Sequence, residues 1–183
     1  MNKKGKAQVI GLFVVLGMPV LVVLFLYLFG KNRFDVPVYY QTGIESDATD
    51  CPKSGGQHFV VPPAGVSFPG QLTLMYSAAE LDAETKRQLL RLCDKFEDRS
   101  AVFLFLSSGV FSPPGCVENV VMPEKELKAF ISCSLVLQHP NQFVLIDGQG
   151  RIRGYYVSGE RKETDRLVME MEILIQNNEH GGK

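Results

Sequence analysis

From Ala7 to Gly30 the chain runs for 24 residues without a single charged side chain. A helix of about 20 predominantly apolar residues is enough to cross a bilayer, so this stretch is long enough to do so. An amphipathic core helix would show a polar stripe. Here Gln8, near one end, is the lone strongly polar side chain, amid Val, Leu and Phe. Pro19 lies mid-stretch, which a membrane helix tolerates because neighbouring groups satisfy the freed carbonyl. The apolar core runs on into Tyr27-Leu-Phe-Gly-Lys31 with no small-x-small cleavage site, and this favours an anchor over a removed leader. Lys3, Lys4 and Lys6 precede it, and Lys31 and Arg33 follow. With the N-terminal amine added, the positive excess places residues 1–6 in the cytoplasm and the remainder across the membrane.

Beyond residue 30 the chain carries 16 basic and 20 acidic residues, and the whole chain has a formal net charge of -1. A mildly acidic domain has no electrostatic footprint for nucleic acid. The length suits one modest domain with accessory segments, and there are no internal repeats. Residues 31–56 read as a tether: Asp35-Val-Pro-Val-Tyr-Tyr40 is extended, and Gly43 to Gly56 is rich in Ser, Thr, Asp and Gly. Residues 57–178 read as the folded domain and 179–183 as a polar tail.

Within the domain, Phe59-Val-Val61 and Leu72-Thr-Leu-Met-Tyr76 are short apolar runs bounded by Pro and Gly, the pattern of strands. Asp82 to Phe96 predicts a helix with Asp82 as N-cap and Leu89, Leu92 and Phe96 on one face. Ala101-Val-Phe-Leu-Phe-Leu106 is continuously apolar, as a strand covered on both faces would be. A long loop is expected from Ser107 to Met122, then a short helix from Pro123 to about Cys133. Gln142-Phe-Val-Leu-Ile-Asp147 and Arg151-Ile-Arg-Gly-Tyr-Tyr-Val157 predict a hairpin. A final helix spans about Glu160 to Asn177. The order β-β-α-β-α-β-β-α predicts an α/β, thioredoxin-like sandwich: a central mixed sheet flanked by helices, preceded by one N-terminal transmembrane helix.

At this point the chain resembles the Sco/SenC family, membrane-anchored thioredoxin-fold proteins associated with copper delivery to cytochrome c oxidase. The resemblance is carried by Phe143-Val-Leu-Ile-Asp-Gly-Gln-Gly-Arg-Ile-Arg-Gly-Tyr-Tyr156 and by the anchor with Phe29-Gly-Lys-Asn-Arg-Phe-Asp-Val-Pro-Val-Tyr39. It implies an inner (cytoplasmic) membrane location with the domain on the periplasmic side. It also implies a protein partner such as an oxidase subunit or assembly factor. Members of the family hold copper with a Cys-x-x-x-Cys pair at the start of the first helix and a distant histidine, soft thiolates suiting Cu(I). That histidine precedes the hairpin aspartate by eight positions, as His139 precedes Asp147, so the resemblance makes His139 a candidate copper ligand. The two cysteines do not carry over. Their window holds Ser77, Ala78, Ala79 and Glu80. Without a thiolate near that helix N-terminus, reductase or peroxidase chemistry loses its nucleophile, which argues against an enzyme.

Four cysteines remain, Cys51, Cys93, Cys116 and Cys133, and they allow three connectivities. Cys93, amid Leu89, Leu90 and Phe96, is expected to be a buried free thiol. Cys116 and Cys133 bracket the long loop and short helix, and a bridge across these 17 residues is expected to contribute ~3 kcal/mol. The functional alternative is a relocated metal or redox site built from Cys116, Cys133 and His139, or more weakly from Cys51 with His58. Three readings follow: a non-catalytic accessory or binding module in respiratory-complex biogenesis, a copper-handling or thiol-redox protein using relocated cysteines, or an anchored domain with purely structural cysteines.

Overall fold

In the computed structural model the described residues are 16–25, 27, 35–44, 51, 55–63, 66, 68, 72–78, 81–96, 101–110, 112–139 and 141–181. Residues 16–25 form a helix, α1, within a first unit, Met1–Asp35. The expected anchor, 7–30, otherwise lies almost wholly outside the described residues. Among the described residues no helix is long and apolar enough to cross a membrane. The second unit, Val36–Lys183, carries the sheet.

Its elements run β1 (Leu72–Ser77), α2 (Ala83–Phe96), β2 (Ala101–Ser107), β3 (Val117–Val121), α3 (Glu124–Ala129), β4 (Gln142–Ile146), β5 (Ile152–Val157) and α4 (Arg161–Gly181). The sheet order is β3-β2-β1-β4-β5. Strands β1, β2 and β3 are parallel, while β4 runs antiparallel to β1 and β5 antiparallel to β4. A β-α-β pair, a helix, an antiparallel hairpin and a closing helix make a thioredoxin-like α/β arrangement, with β3 added at one edge.

Side chains alternate across a strand, so each strand feeds two layers. Leu72, Leu74 and Tyr76 of β1 join Phe103, Phe105 and Phe143 against Leu89, Leu92 and Phe96 of α2 and Leu167, Met171 and Leu174 of α4. Met75, Leu104, Leu106, Val144 and Ile146 face the other way, onto Leu135 and Met122 with Leu127 and Phe130 at the margin. Both faces are covered, which is why β1 and β2 read as unbroken apolar runs.

Three expectations need correction. Phe59–Val61 is not a strand, although Val60 is buried and its N–H donates to the carbonyl of Gly150 (2.8 Å). The presumed loop 107–122 contains β3, paired in parallel with β2 from Phe103–Val117 to Ser107–Val121. The expected tail is helical as far as Gly181. The expected tether also behaves differently in its described residues. Val36 is buried, Tyr39 N–H donates to Ile152 O (2.9 Å), and His58 N–H donates to Tyr40 O (3.0 Å). These residues form an arm laid along the hairpin, because β5 would otherwise leave its outer carbonyls unpaired.

The hairpin turn fixes where the arm can lie. Asp147 is buried, and its Oδ1 accepts the N–H groups of Gln149 and Arg151 at 3.0 Å each. Oδ2 accepts Arg151 Nε (2.8 Å) and Arg153 Nη1 (3.1 Å). Arg153, also buried, donates its other terminal nitrogen to Val36 O (2.5 Å). Gly150 takes φ +80°, a conformation that favours glycine, and a Cβ there would stand 3.0 Å from Val60 O. Three residues beyond Arg151, Gly154 is glycine for a different reason: the Tyr156 ring lies where its Cβ would be.

Candidate functional site

The parallel strands β1, β2 and β3 end on one side of the sheet, and in open α/β sheets ligands bind at such carboxyl ends. A groove of about 490 Å³ opens there between Ser77 and Ala78 at the end of β1, the Ser107–Val110 turn after β2, and Leu127 and Ile131. Val110 at its rim is 96% exposed. Ser77 Oγ donates to Leu106 O (3.2 Å). Ser107 Oγ lies 2.6 Å from Gly109 O and 2.8 Å from Asn119 Oδ1, two acceptors for one hydroxyl proton. Glu124 and Lys128 at the margin pair with each other at 2.6 Å. Among the described residues no histidine, lysine or carboxylate is hydrogen bonded to either serine.

Ser77 and Ala78 therefore stand where the resemblance places the paired cysteines, and Ala79 and Glu80 lie outside the described residues. The following helix end is occupied by its own cap. Asp82 Oδ1 accepts the N–H groups of Glu84 (3.0 Å) and Thr85 (2.9 Å), and Oδ2 accepts the Thr85 hydroxyl (2.6 Å). The Thr85 hydroxyl, then the Thr85 N–H, hold this carboxyl below the ordinary aspartate range. A helix N-terminus that would lower a thiol pKa here stabilises a carboxylate instead.

The cysteines pair otherwise than expected. Cys116 and Cys133 are not joined: Cys93 bonds Cys116, and Cys51 bonds Cys133. Cys93 is not a free thiol, and no cysteine is free among the described residues. Proximity along the chain misled the expectation. Cys93 points off α2 toward the turn that leads into β3, where Gly115 lies against Leu90, so Cys116 reaches α2 rather than α3. Cys133 sits in a π-helical turn, Phe130–Ser134, that follows α3, and it meets the arm. Arm and turn are also joined by His58, whose Nε2 donates to Ser134 O (2.7 Å).

The cluster Cys116, Cys133 and His139 is accordingly not assembled, since the two sulfurs belong to different bridges. His58 likewise faces a carbonyl rather than a thiol of Cys51. Among the described residues no group of three or more His, Cys, Asp or Glu is placed to hold a metal ion. His139 is exposed and lines a second, smaller pocket of about 170 Å³ with Tyr39, Tyr40, Val136, Gln138, Gln142 and Tyr155. None of these three tyrosines was singled out from the sequence. Their available signal was an adjacent pair in a stretch read as tether and another aromatic pair in the hairpin.

No family model matches the chain, and no curated protein matches it. Solved structures to which it is similar include the thioredoxin domain of a thiol-disulfide oxidoreductase from Bacteroides vulgatus, at 15% identity over 56% of this chain and 80% of that one, TM-score 0.46. A SCO1/SenC family lipoprotein from Bacillus anthracis matches at 12% identity over 58% of this chain and 83% of that one, TM-score 0.46. Yeast Sco1 with copper bound matches at 13% identity over 57% of this chain and 80% of that one, TM-score 0.42. The thioredoxin-like arrangement rests on this chain's own strand order, strand directions and helix placement.

Proposed function

We propose that the chain is a membrane-anchored thioredoxin-fold binding module. In this reading it performs no thiol chemistry at the end of β1 and grips an extended segment of a partner protein in the groove beside Val110. The observation that carries this is the helix end after β1: Asp82 takes up its N–H groups, Ser77 and Ala78 offer no thiol, and the groove stays open. Hydroxyls and carbonyls along the groove suit main-chain contacts, while Val110, Leu127 and Ile131 suit an apolar side chain. The sequence resemblance to Sco/SenC proteins and the uncharged stretch from Ala7 to Gly30 support a setting at the inner membrane, in cytochrome c oxidase biogenesis.

Deletion of the gene followed by measurement of assembled oxidase in the membranes tests the setting. Complementation with Val110→Asp tests the groove. Loss of oxidase on deletion, rescue by the wild type and failure of a normally folded Val110→Asp are expected. Unchanged oxidase in the deletion strain would sink the respiratory setting, and full rescue by Val110→Asp would sink the groove.

A second reading, relocated thiol-redox or copper chemistry, is favoured by the position of Cys51–Cys133. Both cysteines are half-buried near the surface, and His58 is bonded beside them. Thiolates for Cu(I) would appear only after reduction. Titrating Cu(I) into the reduced chain, with and without His58→Ala, decides it: one-to-one binding weakened by the variant is expected, and no binding would sink the reading.

A further inference from the structure

The smaller pocket has walls from three separate parts of the chain. Tyr39 and Tyr40 come from the arm, Val136, Gln138 and His139 from the segment after the π-helical turn, and Gln142 and Tyr155 from the hairpin. The rings of Tyr39 and Tyr155 stand perpendicular, at 89° with centroids 5.4 Å apart. Tyr40 adds a third ring 6.2 Å from Tyr39, tilted by 53°. All three are half-buried rather than packed away.

The rings are held in place from behind. Tyr155 donates its hydroxyl to Leu135 O (2.7 Å), and burial followed by the neighbouring Tyr40 pushes that phenol far above its usual range, so it stays neutral. Tyr40 packs edge-on against His58, which is itself tied to Ser134. The backbone around the pocket is unusual as well. Among the described residues, those other than glycine with positive φ are Tyr40 (55°), Val136 (51°) and Asn141 (60°). Two of them line the pocket and the third adjoins Gln142. For a β-branched residue such as Val136 this conformation is a true outlier, and such outliers gather at ligand clamps.

We propose that this corner of tyrosines is a binding site for an organic cation with an ammonium or guanidinium head. Aromatic faces set at right angles attract a cation through their quadrupoles. The carboxamide oxygens of Gln138 and Gln142 can accept its N–H groups where it has them, and among the described residues no lysine or arginine lines the pocket, whose one basic side chain there is the imidazole of His139. Among the described residues no carboxylate lines it either, so the attraction assigned to the site is that of the rings. A volume of about 170 Å³ admits a head such as trimethylammonium or guanidinium and little more. The site shares no residue with the groove at the end of β1, and it stands or falls independently of the partner-binding reading.

The test uses the full chain in maltoside micelles, with disulfides intact, at pH 8. Tyrosine ring resonances are followed during titration with choline, with N-acetylarginine amide, and with 3,3-dimethylbutanol, the uncharged isostere of choline. The expected result is saturable binding of at least one cation, about tenfold tighter than the neutral isostere. Tyr40→Leu should weaken it at least about fivefold, and Tyr40→Phe, which restores a ring, should recover most of that loss. Choline tighter than the arginine amide would assign the site to quaternary heads, and the reverse order to guanidinium. Equal binding of cation and isostere, no binding at tens of millimolar, or binding indifferent to Tyr40→Leu would each overturn the proposal.

Discussion

The two ends of this domain solve the same problem by opposite means. At the carboxyl end of β1 everything is local and regular: a parallel strand stops, Asp82 caps α2, and the backbone groups are satisfied within three residues. Beside the hairpin, the arm, the π-helical turn with the segment after it, and β5 come from distant parts of the chain, and the arm and that segment carry three non-glycine residues in the left-handed region. A covalent bond between Cys51 and Cys133, 82 residues apart, spans them. Local order is cheap in conformational entropy and needs no staple. Order assembled over a long loop must offset loop closure, and the bridge lowers that cost by restricting the unfolded chain.

The largest effect expected from this contrast is on the bridge itself. Replacing Cys51 and Cys133 together by serine should cost about 4.5 kcal/mol, against about 3.5 kcal/mol for Cys93 with Cys116, because the closed loop is longer. Denaturant melts check the magnitudes. Hydrogen exchange sharpens the comparison: in the first variant the amides of Tyr39, His58 and Val60 should lose protection while β1 and β2 keep theirs. Uniform loss across the sheet would mean that the arm is not a separate unit. Next comes Asp147→Ala, which strands two guanidinium groups beside a buried turn and should cost about 4 kcal/mol. It should also release Val36, since Arg153 then loses its partner.

Asp82→Ala should cost about 1 kcal/mol. The sign with pH follows from its depressed folded-state pKa. The stabilisation is present above the ordinary aspartate range and is lost as pH falls through the lower, folded value, so wild type and variant should converge in acid. Val136→Gly is expected to be the smallest change, within about 1 kcal/mol of wild type. Relief of a left-handed valine roughly offsets the added freedom of the unfolded chain.

Much of the regular end was legible before any coordinates. Leu72–Tyr76, Ala101–Leu106 and Gln142–Ile146 are apolar runs of strand length, and a strand buried on both faces leaves that signature. The Asp82 cap and the hairpin turn were legible because their chemistry is contained within a few residues. Strand β3 was not, since Val-Glu-Asn-Val-Val is short, lies at a sheet edge and alternates poorly, and Pro113, Pro114 and Gly115 precede it. The arm was illegible for a deeper reason. The polar, glycine-rich composition of residues 43–56 describes a chain with little apolar surface to bury, and what docks the arm is a disulfide, hydrogen bonds to residues far away and a few isolated apolar side chains such as Val36 and Val60. Sequence separation favoured Cys116 with Cys133; the partner of each was chosen by which element its own element packs against. The tyrosine corner needs residues from three such segments at once, and no periodicity encodes that meeting.

The arm also defines a path for load. Tension applied at Val36 would first meet Arg153 and then the Tyr39–Ile152 hydrogen bond, contacts that peel one at a time. Peeling stops at Cys51, where force passes through sulfur to Cys133 and into the domain. The slack released before that point is the contour of 15 residues, about 50 Å. A pull from the N-terminal side thus ends at a fixed leash length, with the sheet still folded behind it.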